Sequence, residues 1–258
     1  MLSEQFLFNF SPLFSNMTIL ITNDDGYTEG LRVLLEVAKK IDKKAHAVIP
    51  NRQRSAVSNS LTLHKPLRFH RVADSVGELS GTPADCVLFS LFSGEVEPPK
   101  LVLSGINFGD NCGMDSLLGS GTLGACWESV LEGIPAIAFS MFRSSRDWRD
   151  KTNWGDVPHG HEKIEEIIRM LKPKLDTDSF FSVQLPQKFL DAEIVFNNNL
   201  QRLRFKAFID KRKDPYGTPY FWQHGDFGRY EKGTDISDVR DGKIVISKIG
   251  LGAFKNMK

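Results

Sequence analysis

From Met17 onward, short β-branched apolar runs alternate with segments whose apolar residues recur at helical spacing, the pattern of a parallel α/β sheet. MTILIT (17–22) shows no polar alternation, which predicts a strand buried on both faces. NDDGYTEG (23–30) is a turn; Leu31, Leu34, Leu35, Ala38 and Ile41 then share a helical face, closed by Lys39 and Lys40. AHAVIP (45–50) supplies a second strand, so residues 17–50 form one βαβ unit. Thr82 is the N-cap of a further helix, with Pro83 at its first position. KLVLSGIN (100–107) and IPAIAFS (134–140) are strands, and GSGTLGACWESVLEG (119–133) is a loop running into a helix. Ile164, Ile167, Ile168 and Leu171 line one side of a covering helix over 161–172, before a strand at FFSVQLP (180–186). Beyond about residue 186 the segments shorten around Pro215, Gly217 and Pro219, predicting antiparallel strands or extended arms.

Composition narrows the class. Hydrophobic residues at 41% and charged residues at 25% of 258 positions argue against long disorder, a fibrous repeat or a coiled coil. Lys plus Arg at 33 against Asp plus Glu at 32 leaves a net charge of +1, so no global field recruits a nucleic acid polymer or an anionic membrane. Any anionic partner must be met by a local site. The charge is uneven: Gln201 to Lys232 holds eight Lys or Arg against four Asp or Glu, and this basic segment is expected at a subunit interface or a site entrance. Cys86, Cys112 and Cys126 match neither a metal hook nor a paired framework and read as reduced thiols of a cytoplasmic protein. No apolar run approaches the ~20 residues of a membrane span. The opening MLSEQFLFNFSPLFSNM carries Glu4 and no positive leader, so residues 1–16 are expected to be an extension ahead of a second start at Met17, not a signal peptide.

Ligands in open α/β sheets bind beyond the carboxyl ends of the strands. Asn23, Asp24, Asp25 and Gly26 follow the first strand, and two adjacent carboxylates repel unless a cation sits beside them. Taken alone, either Asp serves equally well as a helix N-cap. Pro50 to Ser55 follows the second strand, a loop with two Arg and hydroxyl donors that in isolation is an ordinary solvated turn. Asn107 follows the third strand and offers either a carbonyl oxygen to a metal or an amide to an oxyanion. Ser120, Gly121 and Thr122 open a helix whose positive end suits phosphate, although taken alone Ser-Gly-Thr before a helix is an ordinary cap. The four loops together supply carboxylate, amide and hydroxyl oxygens without His or Cys, which suits a hard cation and phosphoryl chemistry. Other classes fit less well. GSGTLGACWES lacks the Walker lysine, no GxGxxG follows the first strand, Asp24-Asp25-Gly26-Tyr27-Thr28 lacks the haloacid-dehalogenase spacing, and no Gly-x-Ser-x-Gly elbow surrounds Ser58 or Ser60. His159-Gly160-His161 reads as a bystander in a polar loop.

ILITNDDG (19–26), PNRQRSAVSNSLT (50–62), GTPADCV (81–87), LVLSGINFGDNCG (101–113) and GSGTLGACWESVLEGIPAIAFS (119–140) resemble, in order and spacing, the SurE survival-protein nucleotidases. The likeness continues more loosely through DPYGTPYFW (214–222) and GTDISDVRDGKIVIS (233–247). It implies a Rossmann-like, mostly parallel sheet flanked by helices, with a core over 17–186 and a C-terminal β-rich portion over 187–258 used in homodimer or homotetramer assembly. It also implies a phosphatase acting on nucleoside 5′- and 3′-monophosphates with one divalent ion, Mg²⁺ or Mn²⁺, per subunit. Carried over position by position, the metal ligands are Asp24, Asp25, Ser55 and Asn107, and the two aspartates are also the catalytic carboxylates. Asn23 supports the acidic pair, and with Ser120, Gly121 and Thr122 makes up the phosphate set. Two positions depart from the family pattern: Gly119, where a bulkier residue is usual, and FFSVQLP, which replaces an Asn-Val-Asn-Pro-like stretch. Water and Asp remain alternative nucleophiles, and short polyphosphate is a further substrate. A nucleotide-sensing module without turnover is the rival reading.

Overall fold

The structure is a computed structural model that describes residues 18–143, 153–203 and 205–252. The extension expected over 1–16 lies outside the described residues. In chain order the elements are β1 (Ile19–Thr22), α1 (Glu29–Ile41), β2 (His46–Pro50), β3 (Phe69–Ala73), β4 (Val76–Leu79), α2 (Pro83–Phe92), β5 (Leu101–Asn107), α3 (Gly113–Gly119), α4 (Gly121–Leu131) and β6 (Ala136–Met141). There follow α5 (His161–Leu171), β7 (Ser179–Leu185), β8 (Ile194–Phe196), β9 (Phe205–Lys213), β10 (Pro219–Phe227), α6 (Asp235–Arg240) and β11 (Ile244–Gly250).

Nine strands form one sheet in the order β3-β4-β2-β1-β5-β6-β7-β11-β8. The six from β4 to β7 run parallel; β3 and β11 pair antiparallel at either side. Chain order leaves β1 toward β2 on one side and reaches β5 on the other, so the carboxyl ends of β1 and β5 flank a topological switch point. Helices cover both faces. Ile19 and Ile21 join the cluster beneath α1 and α5, while Leu20 belongs to the cluster beneath α2 and α4. This is why MTILIT lacks alternation: both of its faces are interior. Leu31, Leu34, Leu35 and Ala38 of α1, and Ile164, Ile167, Ile168 and Leu171 of α5, are all buried, each larger side chain contributing about 1.5–3 kcal/mol.

Local sequence sets the helix ends. Thr28 caps α1 by accepting from the Leu31 N–H at 3.2 Å. Thr82 and Asp85 form a reciprocal capping box on α2, with Pro83 inside it. Three elements escape the periodicity. β3 and β4 are four or five residues long with Gly77 and charged positions among them, and Phe69 lies where any Cβ on Gly77 would be. Between β5 and α4 the Gly- and Asn-rich stretch contains α3, seven residues bounded by glycines and without helical apolar spacing.

Past residue 186 the chain does two different things. β9 and β10 pair over nine residues as an antiparallel hairpin of their own, closed by a turn in which Asp214 Oδ1 accepts from the Tyr216 and Thr218 N–H groups. β11 and β8 instead extend the main sheet beside β7.

Candidate active site

β1 ends at Thr22 and the chain turns sharply through Asn23 to Gly26. Asn23 closes that turn from both ends: its Nδ2 donates to the Gly26 carbonyl at 2.7 Å and its Oδ1 accepts from the Gly26 N–H at 3.0 Å. Gly26 has φ +82°, open to glycine at little cost. Asn23 is fully buried and occupied by this turn, so it shapes the acidic pair rather than lining the cleft. Asp24 and Asp25 emerge from the turn in different settings. Asp24 is 5% exposed, and its carboxylate accepts from the Thr122 hydroxyl at 2.6 Å and from the Thr122 backbone N–H. Asp25 is half-buried; its Oδ1 accepts from Gln53 Nε2 and its Oδ2 from the Phe108 N–H, both at 3.1 Å.

Burial, and next the charge of Asp25, raise the Asp24 carboxyl from the ordinary 3.8 to about 7, against the Thr122 hydrogen bonds that favour its ionised form. The amino end of α4 therefore points at Asp24. Thr122 is fully buried behind that carboxylate. Gly121 is packed there too: a Cβ on it would lie 3.0 Å from Asp24 Cβ, 3.0 Å from Val57 and 3.1 Å from the Arg54 carbonyl. Of the phosphate candidates, Ser120 alone lines the cleft, while its hydroxyl caps α4 by accepting from the Leu123 N–H at 3.2 Å.

The remaining donors come from two neighbouring loops. Ser55 lies in the loop after β2, anchored where the Arg54 N–H donates to the Asp24 carbonyl at 2.7 Å. Gln53 Nε2 reaches both Asp25 Oδ1 and Ser55 Oγ at 3.1 Å. Asn107 ends β5, and its Nδ2 donates to the Gly109 carbonyl at 2.7 Å, which leaves Oδ1 as the acceptor end. Asp24, Asp25, Ser55, Asn107 and Ser120 all line one open cleft of about 380 Å³, with Asp110, Asn111, Asp115 and Leu203 around them. Among the described residues no group of three or more His, Cys, Asp or Glu is poised for a metal, so any ion here must rely on mixed oxygen donors. Two carboxylates, a hydroxyl and an amide oxygen match the preference of a hard divalent cation, which would also offset the repulsion between the adjacent carboxylates.

Further residues hold the frame and escaped sequence reasoning. Asp85, besides closing the Thr82 capping box, accepts from the Thr62 N–H and hydroxyl at 2.9 and 2.7 Å, tying the Ser55 loop to α2. Gly124 lets the same loop lie against α4, since a Cβ there would sit 2.2 Å from the Ser58 carbonyl. Gln184, inside the FFSVQLP stretch that departs from the family pattern, accepts from the Asn111 N–H at 2.8 Å, and Asn111 Nδ2 donates to Ser140 Oγ at 2.8 Å. Gln53 alone carried a sequence signal, a polar residue two positions before Ser55. His161 donates or accepts at Glu36, 2.7 Å away, on the covering helix layer.

The sequence profile described as survival protein SurE matches residues 19–206. The chain belongs to the SurE family. Curated SurE relatives share about a third of its residues along nearly its whole length. The 5′-nucleotidase SurE of Thermofilum pendens is 35% identical over 247 residues, covering 92% of each chain. That of Campylobacter concisus is 36% identical over 248 residues, covering 90% of this chain and 92% of its own. The crystal structure of the SurE protein from Aquifex aeolicus superposes with a TM-score of 0.72 at 30% identity, covering 93% of this chain and 96% of that one.

Proposed function

We propose that this SurE-family chain is a metal-dependent phosphomonoesterase that hydrolyses nucleoside 5′- and 3′-monophosphates to nucleoside and phosphate, with short polyphosphate as a further substrate. The observation that carries the reading is the meeting of Asp24, Asp25, Ser55 and Asn107 around one cleft at the switch point, in a chain a third identical to curated 5′-nucleotidases. One Mg²⁺ or Mn²⁺ held by these four residues would polarise a phosphoryl oxygen and acidify a water. The chain's own groups do the rest. Gln53 and the Phe108 N–H fix both oxygens of Asp25, so that carboxylate keeps one orientation. Burial and the neighbouring Asp25 raise the Asp24 carboxyl to about 7, so a cation held there would compete with its proton. Ser120, at the amino end of α4, presents its hydroxyl to the phosphate, while Asn23, Gly121 and Thr122 support it from behind.

A cytoplasmic location is part of the same proposal, supported by the buried, unbridged thiols of Cys86 and Cys126. The exposed apolar side chains of the β9–β10 hairpin support assembly into a homodimer or homotetramer, with 187–258 supplying the contacts.

The test is phosphate release from AMP, GMP and a generic phosphomonoester with Mg²⁺ or Mn²⁺, followed by chelator. The expected result is nucleotide turnover that chelator abolishes. Metal-independent turnover, or full activity in Asp25→Ala, would sink the mechanism; tight nucleotide binding with no release under any metal would make the chain a sensor.

A further inference from the structure

We infer that a second cleft, walled by Tyr27, Phe108, Arg143 and Trp154, seats the base of the substrate and selects purine over pyrimidine nucleotides. The inference rests on the nucleotidase reading above and adds to it the part of the substrate that is not phosphate. This cleft has a volume of about 530 Å³. It shares Asp25, Gln53, Ser55 and Phe108 with the carboxylate cleft, so the two are arms of one depression that join at the donor set.

The arms differ in chemistry. Beyond Phe108, the carboxylate arm is lined by small, amide and acidic residues with Leu203, and it offers no other ring. The second arm is aromatic. Phe108 and Trp154 have ring centroids 4.5 Å apart at 45°, and the Arg143 guanidinium carbon lies 4.2 Å over the Phe108 ring. Tyr27, two residues past Asp25, stands 61% exposed beside them. Nucleobases stack on aromatic rings and guanidinium planes, and a two-ring purine covers more of such a wall than a pyrimidine does.

The wall is also built onto the reacting end. Phe108 is the residue after Asn107, and its own N–H holds Asp25 Oδ2. Trp154 lies on Gly30 near the start of α1, where a Cβ would come within 2.7 Å of its ring. Core packing accounts for the inner faces of Phe108 and Trp154, which contact the buried cluster, but not for an exposed tyrosine beside them at the mouth of the site.

The test measures kcat/KM for GMP, AMP, CMP, UMP and ribose 5-phosphate in the parent and in Trp154→Ala, Trp154→Phe and Tyr27→Ala, each checked by thermal unfolding. The expected parent prefers both purines by about tenfold or more. Trp154→Ala loses about tenfold more on the purine nucleotides than on ribose 5-phosphate, Trp154→Phe restores most of that difference, and Tyr27→Ala, an exposed position that leaves folding intact, loses several-fold in the same sense. Equal turnover of purines and pyrimidines by the parent, or losses in the variants that ribose 5-phosphate shares in full, overturns the base seat alone. Absence of turnover on every nucleotide overturns the nucleotidase reading and the seat with it.

Discussion

At the carboxyl ends of β1 and β5 the protein buries polar groups, whereas on β9 and β10 it exposes apolar ones. Asp24 and Thr122 are at most 5% exposed, and each has a named partner. On the hairpin, Ile209, Phe221 and Trp222 are between 58% and 63% exposed. Both regions depart from the usual distribution, and such departures are more informative than the ordinary core. The difference lies in what completes each one. The switch-point rim is completed mostly from within the chain, by Thr122, Gln53 and the Phe108 N–H. The hairpin's exposed rings have no cover from the rest of the described chain, and the proposed assembly assigns that cover to a second copy of the chain.

Removing a carboxylate tests the rim most severely. Asp25→Ala is expected to lower kcat/KM by about a thousandfold or more while the thermal midpoint shifts little, since Asp25 is half-buried at the mouth. Steady-state kinetics and calorimetric unfolding check both halves; a loss of structure equal to the loss of activity would make the pair structural. The hairpin's counterpart is Trp222→Glu. It is expected to weaken association by about a hundredfold without moving the protomer's thermal midpoint, read by light scattering across a concentration series. Unchanged assembly would remove the hairpin from the interface.

Proton linkage follows next in size. Because the Asp24 carboxyl lies near 7 in the folded, cation-free chain against an ordinary 3.8, divalent-ion affinity should rise by about tenfold per pH unit below 7 and level off above it. Calorimetry from pH 5.5 to 8 in two buffers measures the affinity and the released proton together; pH-independent affinity would contradict the placement. The stability consequence has the opposite sign. The folded chain binds the extra proton, so this group's contribution is fully present below 3.8, declines as pH rises toward 7 and is lost above it. Asp24→Asn should flatten that slope in chelator and melt higher than the parent at pH 8. The smallest effects come from the frame: Gly124→Ala, driven against the Ser58 carbonyl, is expected to cost about 1–3 kcal/mol in denaturant unfolding and to reduce turnover, whereas Thr62→Val, losing one hydroxyl bond to Asp85, costs about 1 kcal/mol.

Much of the fold was legible because its strongest elements are local. α1 and α5 repeat apolar residues at helical spacing, and Thr82-Pro83 carries its own start signal, so periodicity and capping suffice. β3 and β4 are too short and too polar for that reading; they form because β2 offers an edge and Gly77 admits Phe69. The site was legible as a set of residue types after strands, and the structure brings Asp24, Asp25, Ser55, Asn107 and Ser120 to one cleft. Which of the set face that cleft was not legible. Asn23, Gly121 and Thr122 are neighbours of cleft residues in sequence, yet the turn and the α4 packing put them behind the carboxylates.

The sequence by itself determined the strand and helix chemistry of the core, the oxygen character of the site and its place after β1, β2 and β5, because each depends on residues within one turn or one loop. Only the tertiary structure decided that Asp24 is buried and Asp25 only half so, that Gln53 bridges Asp25 to Ser55, and that Phe108, Arg143 and Trp154 pack together beside them. Those are relations between segments as far apart as residues 24 and 154, and burial, the quantity that moves a carboxyl from 3.8 to about 7, is a property of everything packed around a group rather than of the group itself.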